Sequence, residues 1–298
     1  MKVRLIGHIT YDAISLKDDK QEEYVSVGGP PVYSGLLLSK FGINPCVTTR
    51  FGPDFDDSKV LWLSRNGFQI DRNAHSKNNT TKFRIQIDTK SKNRTMYLVS
   101  KCDDIIADEY EGDVCLLQPV MNELDAEEIE KARKRCSFLF LDPQGFLRIS
   151  LNGMIQLSAN GKLLRYLKYV DAIKVDVEEG RIITGSDDFV KIGKRLLRLG
   201  VREAIVTLGA SATYLFTKDT VYSVAIPAVK FYDGIGAGDM LGASYAYSRQ
   251  SMNHAESLAF AVSAAVSRLD RKALDKVPSR KEIEETMNKI ISSLARID

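Results

Sequence analysis

Along most of the chain, short β-branched runs alternate with longer stretches of helical spacing, and few folds admit that alternation. Residues 2–6, 47–50, 114–118, 138–142, 172–175 and 204–207 read as strands. Between them, residues 57–66, 125–135, 188–199 and 237–249 carry helical periodicity. A strand, a helix and a second strand close into a parallel unit, so the expected class is α/β: a doubly wound, mostly parallel sheet with helices on both faces. Pro30 and Pro31 suit a first helical turn, and Val32, Leu36, Leu37, Leu38 and Phe41 follow at helical spacing until Gly42 ends it.

Two segments, residues 12–27 and 80–101, break the pattern with alternating strands that imply one wet face, and the second reads as a hairpin around a polar turn. Both are expected in a small β-sheet lid outside the parallel core. No linker, repeat or low-complexity tract divides the chain, so residues 1–298 are expected to form one domain carrying this lid. Phe83, Ile85 and Ile87 form an apolar row that needs a cover. Closure over a substrate, or pairing with the lid of a second copy in a homodimer, would supply it.

Lys and Arg total 42 against 39 Asp and Glu, a balance that gives no field for holding nucleic acid or an anionic membrane. Cys46, Cys102, Cys115 and Cys136 form no CxxC pair and read as core residues of a reducing compartment, with neither a zinc site nor a disulfide framework. No signal-peptide pattern or membrane-length apolar run occurs, so a cytoplasmic location is expected. His8, His75 and His254 share no metal-ligand spacing, and only His8, near Asp12, is placed to touch a substrate. Trp62 sits at helical spacing and reads as core.

The chemistry is concentrated in Phe231-Tyr-Asp-Gly-Ile-Gly-Ala-Gly-Asp239, which opens a helix of small residues. Glycines before a helix leave backbone N–H groups bare at its positive end, where an anion binds. Asp239 in that first turn would cap a helix, but a cap needs no Gly-x-Gly-x-Gly. Phosphate charge developing beside a base needs both the bare amides and the carboxylate. The spacing matches neither Gly-x-x-x-x-Gly-Lys-Ser/Thr nor Gly-x-Gly-x-x-Gly, so it is neither a P-loop nor a dinucleotide site.

The stretch from Asp233 to Asp239 resembles the Asp-Thr-x-Gly-Ala-Gly-Asp signature of the ribokinase-like (phosphofructokinase B) carbohydrate kinases, with Gly234 where threonine is usual. Other family elements recur in order: Gly7-His-Ile-Thr-Tyr-Asp12, Gly28-Gly29-Pro-Pro-Val-Tyr33, Leu141-Asp-Pro-Gln-Gly-Phe-Leu-Arg148, Lys174-Val-Asp176-Val-Glu-Glu179 and Thr207-Leu-Gly209. The resemblance implies transfer of a phosphoryl group from ATP, with Mg2+, to a small polyhydroxy substrate: a sugar, a cyclitol such as inositol, or a nucleoside. It implies Asp239 as base, the amides of Gly236, Ala237 and Gly238 as anion hole, and Lys174, Thr207 and Gly209 with Gly236 and Gly238 at the nucleotide. Asp176 and Glu179 would hold magnesium through waters, although the same pair would serve as a helix cap. Asp12, Gly28, Gly29, Tyr33 and Arg148 would hold the substrate. Tyr33 stands where the family commonly has Asn, which turns the pocket away from ribose. Two other classes fit the architecture: a catalytically silent sensor of sugars or nucleotides, and a nicotinamide-dependent oxidoreductase.

Overall fold

Strand β1 (Val3–Ile6) is buried along its whole length, as a strand covered on both faces must be. In the computed structural model, which describes every residue except 18–21, 92, 107–109, 271, 273, 275, 276 and 298, β1 lies parallel to β4 (Cys46–Thr48) and β8 (Gly112–Leu117). The short β5 (Gln69–Ile70) closes that edge. Beyond β8 the sheet runs through β9 (Cys136–Leu141), β12 (Ala172–Asp176) and β13 (Glu203–Thr207), all parallel. It ends in the antiparallel β14 (Ala212–Phe216), β15 (Val221–Ala225) and β16 (Ala295–Ile297). Apolar side chains are buried in two clusters, one involving the helices Pro30–Lys40, Ala237–Ser248 and His254–Val266, the other Glu127–Arg133, Gly161–Tyr166 and Phe189–Arg198. The doubly wound α/β expectation is met.

The helix Ala237–Ser248 is set against the sheet by its small residues. A methyl group at Gly242 would fall 2.7 Å from the Phe140 ring, so only glycine allows that approach. Ser34 fastens the neighbouring helix, donating to Gln118 Oε1 at 2.9 Å and to the Asp239 carbonyl at 3.2 Å. These contacts fix where the carboxylate of residue 239 emerges.

The lid is a six-stranded sheet in the order β10 (Arg148–Leu151), β11 (Met154–Leu157), β7 (Arg94–Ser100), β6 (Thr81–Asp88), β2 (Thr10–Lys17), β3 (Glu23–Gly28). Both expected lid segments are in it, apart from residues 18–21 and 92, which lie outside the described residues. The β10–β11 hairpin and the antiparallel edge β14–β16 extend beyond the expectation. Phe83, Ile85 and Ile87 are only 2%, 3% and 1% exposed in the single chain. That row therefore faces inward and is covered within the single chain, so of the two expected covers a second copy is not required for it.

The cysteine expectation is also corrected. Cys115 on β8 and Cys136 on β9, 21 positions apart in sequence, are joined by a disulfide, because β8 and β9 pair side by side. Spacing along the chain does not reveal that adjacency. Cys46 and Cys102 are free and buried. No cluster of metal-ligating side chains occurs among the described residues, and no helix among them is long and apolar enough to cross a membrane.

Candidate active site

In an open parallel sheet, ligands collect beyond the carboxyl ends of the strands. There the lid closes a cavity of about 60 Å³ against the main sheet; its walls include Asp12, Gly29, Tyr33, Arg148, Gly236 and Asp239. Ile85 and Phe83 line it from the lid.

Asp12 reaches this cavity from the inner row of β2, where it is 5% exposed. The Thr10 hydroxyl donates to its Oδ1 at 2.9 Å. Burial pushes its carboxyl up to about 6 despite that bond. The glycine pair beside it has a steric cause. A methyl group at Gly28 would sit 2.0 Å from Asp12 Oδ2, and one at Gly29 would sit 2.3 Å from the His8 carbonyl oxygen. Gly29 also has φ 87°, a left-handed conformation at the start of the helix Pro30–Lys40.

Tyr33 is 1% exposed and its hydroxyl, at the cavity wall, has no hydrogen-bond partner among the described residues. Its ring lies where a methyl group at Gly236 would fall, 2.2 Å away. Tyr33 thus props the glycine turn from below. Arg148 is 7% exposed and donates to the Val120 carbonyl at 3.2 Å and to the Gln144 side chain.

The turn before the helix Ala237–Ser248 is anchored by Asp233. Its carboxylate accepts from the Ile235 N–H at 2.9 Å, from the fully buried Arg268 at 2.6 Å and from the Tyr24 hydroxyl of the lid at 2.7 Å. Gly234 (φ 66°) and Gly236 (φ 78°) take the left-handed backbone, whereas Gly238 does not. The Ala237 N–H is given to the Gly234 carbonyl at 3.2 Å. The Ala237 amide thus takes part in the turn, while no backbone partner is found among the described residues for the amides of Gly236 and Gly238. Burial first, and the Asp142 carboxylate second, push the Asp239 carboxyl up to about 7.

Lys174, on β12, bonds Asp142 Oδ2 at 2.7 Å, and a methyl group at Gly238 would approach its Nζ to 3.3 Å. The ammonium therefore flanks the open amides. Burial alone would lower its affinity for the proton, but Asp142 outweighs that and holds it charged. Asp176 and Glu179 form a reciprocal helix cap: Glu179 N–H donates to Asp176 at 2.8 Å and Asp176 N–H to Glu179 at 2.9 Å. Glu179 is 6% exposed and burial pushes its carboxyl up to about 7. Thr207 closes β13, and Gly209 (φ 57°) borders a second cavity of about 510 Å³ lined by Ala210, Ile226, Pro227, Val229 and Phe231.

His8 is not among the residues that line this cavity. Its ring bonds the Asp103 carbonyl and the Thr81 hydroxyl, both at 2.9 Å, and burial lowers its proton affinity. It is a structural histidine. Trp62 is packed against the core as expected. Sequence reasoning missed Arg94 and Gln144 in the cavity wall and the partnership of Asp142 with Lys174. Asp142 stood in a recognised stretch, but only the pairing of β9 with β12 reveals its role.

The chain belongs to the pfkB family of carbohydrate kinases, whose model matches residues 2–279. This sets aside the oxidoreductase. The fold is similar to that of a pyrophosphate-dependent kinase in the ribokinase family solved with a pyrophosphate analogue and myo-inositol, with TM-score 0.81, 22% identity, and 95% of this chain and 99% of that one covered. It is also similar to the Arabidopsis thaliana ribokinase solved with ribose and ATP, with TM-score 0.73, 19% identity, and 96% and 98% covered. A stretch of 66 residues is 33% identical to 1-phosphofructokinase of Bacillus subtilis (strain 168), covering 22% of each chain.

Proposed function

We propose that the chain transfers the γ-phosphoryl group of ATP to a hydroxyl of a small polyhydroxy acceptor, a sugar, cyclitol or nucleoside, in the cytoplasm. One observation carries this reading. Asp239, with a carboxyl near neutrality, shares a lid-covered cavity with Asp12 and stands in the first helical turn behind two open amides. A base must hold a carboxylate at working pH and still accept a proton, which an affinity near 7 allows.

Asp12, the Gly28–Gly29 turn and the unpartnered Tyr33 hydroxyl would orient the acceptor, with Asp239 taking the proton of the attacking hydroxyl. The amides of Gly236 and Gly238, the helix dipole and Lys174 would meet the charge on the moving phosphoryl group. Asp176 and Glu179 fit magnesium at one remove: they are hard oxygen donors, each gives one oxygen to the cap, and buried Glu179 keeps its other oxygen without a protein hydrogen bond among the described residues. When bound, the ion would neutralise phosphate charge. The apolar cavity beside Gly209 suits a nucleobase, for which bare pyrophosphate has no use; this favours ATP over the donor named for one similar structure.

Acceptor-dependent release of the spent donor, ADP from ATP or inorganic phosphate from pyrophosphate, measured across pentoses, hexoses, inositols, nucleosides and their phosphates, tests the reading. ATP should support acceptor-dependent turnover and pyrophosphate should not. Turnover with pyrophosphate alone would reassign the donor, and none with either would leave a silent sensor.

A homodimer through the lid belongs to the same proposal, by its outer face rather than by the Ile85 row. Val25, Val99, Leu151 and Met154 are 72%, 64%, 50% and 39% exposed on lid strands. Sedimentation at micromolar concentration should give a dimer that Val99→Asp weakens. A monomeric wild type would end the dimer proposal.

A further inference from the structure

The lid reaches the glycine turn through polar side chains as well as through its apolar row. Tyr24, half-buried on the edge strand β3, gives its hydroxyl to Asp233 Oδ2 at 2.7 Å, while Asp233 Oδ1 takes the Ile235 N–H and Arg268. One carboxylate thus joins the lid, the turn and the segment after the helix His254–Val266. Of these three donors only Tyr24 belongs to the lid. Holding Oδ2 fixes the plane of the carboxylate, and with it the aim of Oδ1 at the Ile235 amide. Ile235 and Gly236 line the cavity, and the left-handed Gly234 and Gly236 have no side chains with which to brace the turn themselves. The Lys272 ammonium lies 4.3 Å from the centre of the Tyr24 ring and holds it in place. Burial, and then the Asp233 charge, strengthen the hydroxyl's hold on its proton, so Tyr24 remains a donor. Strand β3 pairs with β2 so that Tyr24 stands opposite Ile14 and Ser26 opposite Asp12. The same strand pair therefore presents Asp12 to the cavity and Tyr24 to the turn.

We propose that Tyr24 is a positioning residue for phosphoryl transfer: its bond to Asp233 lets the lid set the glycine turn, so that the turn takes its working geometry only while the strand pair carrying Asp12 is docked. The proposal rests on the phosphoryl-transfer reading and adds to it a route by which the seat of the acceptor and the seat of the phosphoryl group are assembled together. Phe83 and Ile85 suffice as a cover; a bond from the lid to the carboxylate that braces Ile235 does more than cover. A second tie runs beside it, from Glu22 to the Tyr232 hydroxyl and to Lys272, and its bonds end on those residues rather than on Asp233. Substitution therefore separates docking of the lid from bracing of the turn.

Tyr24→Phe, which removes one hydroxyl from a half-buried side chain and keeps the ring, tests this against Tyr232→Phe, which removes a hydroxyl from the second tie. Hydrogen exchange of the full chain, read by mass spectrometry on peptides covering residues 233–239, reports the turn without any need for turnover. Tyr24→Phe should speed exchange there about fivefold or more, since a hydrogen bond to a charged group is lost, and Tyr232→Phe should change it less than about twofold. In steady-state rates with ATP and the best acceptor, Tyr24→Phe should lower kcat about tenfold while the acceptor KM moves less than about threefold, because Asp12 and its bond from Thr10 are untouched. Tyr232→Phe should keep kcat within about twofold. An unchanged turn in Tyr24→Phe would overturn the proposal, as would a loosened turn with an unchanged kcat. Equal effects of the two variants would also overturn it, since docking of the lid as a whole would then be what matters. The two readings fail separately. A wild type without turnover on any acceptor removes the kinase, and the exchange rates still decide whether Tyr24 braces the turn; normal turnover in Tyr24→Phe removes the positioning role and leaves the kinase.

Discussion

Asp239→Asn should lower kcat by roughly 10²–10⁴ while nucleotide affinity stays within a few-fold of wild type. The same substitution should stabilise the protein above neutral pH. In the unfolded chain this carboxyl titrates near 3.8, and in the folded chain near 7, because burial and Asp142 disfavour its charge. The folded state therefore binds the proton more tightly. The stability this group contributes is full below pH 4 and is lost as pH rises through about 7. Asparagine carries no such dependence. At pH 8 the variant should melt roughly 2–5 °C above wild type, a modest figure because the side chain is half-buried and partly screened. Loss of rate with gain of stability is the signature of a carboxylate held for chemistry. Thermal unfolding at pH 5 and pH 8 reads the difference, and a variant less stable at both would show that Asp239 is a helix cap.

Lys174→Met should cost about 3–5 kcal/mol, because it leaves the Asp142 carboxylate, 1% exposed, without its partner. Adding Asp142→Leu removes the stranded charge, so the double variant should recover most of the stability. Its turnover should remain at least about 100-fold down, since no ammonium then flanks the open amides of Gly236 and Gly238. Denaturant titration alongside steady-state rates separates the two effects. Recovery of turnover with stability would make the pair a structural element only.

The parallel strands were legible because a strand buried on both faces reads as a continuous apolar run, as Val114–Leu117 does before Gln118. The glycine turn was legible because three glycines and an aspartate at a helix start exceed what a helix cap needs. The β10–β11 hairpin was present as a signal too: Asn152-Gly153, with φ of 51° and 85°, is a strong two-residue turn marker. Alternation around it is weak, which hides the strands. Other features depend on registers that no local pattern contains. Arg94 enters the cavity wall because β6 and β7 pair from Ile87 with Arg94 to Phe83 with Leu98. Tyr33 meets Gly236 across some 200 residues of chain, and Cys115 meets Cys136 because two strands happen to be neighbours. The choice between a metal ligand and a helix cap at Asp176 and Glu179 was open in the sequence, and the cap is what the side chains form without a ligand.

The most direct measurement of the central claim is the dependence of kcat on pH from 5 to 9, in wild type and Asp239→Asn. A base that must be ionised to accept the hydroxyl proton predicts a wild-type rate rising about tenfold per unit below neutrality and levelling off near pH 7, set by the Asp239 carboxyl. The residual rate of the variant should lack that limb. A flat wild-type profile, or the same limb persisting in Asp239→Asn, would contradict the assignment of Asp239 as the base.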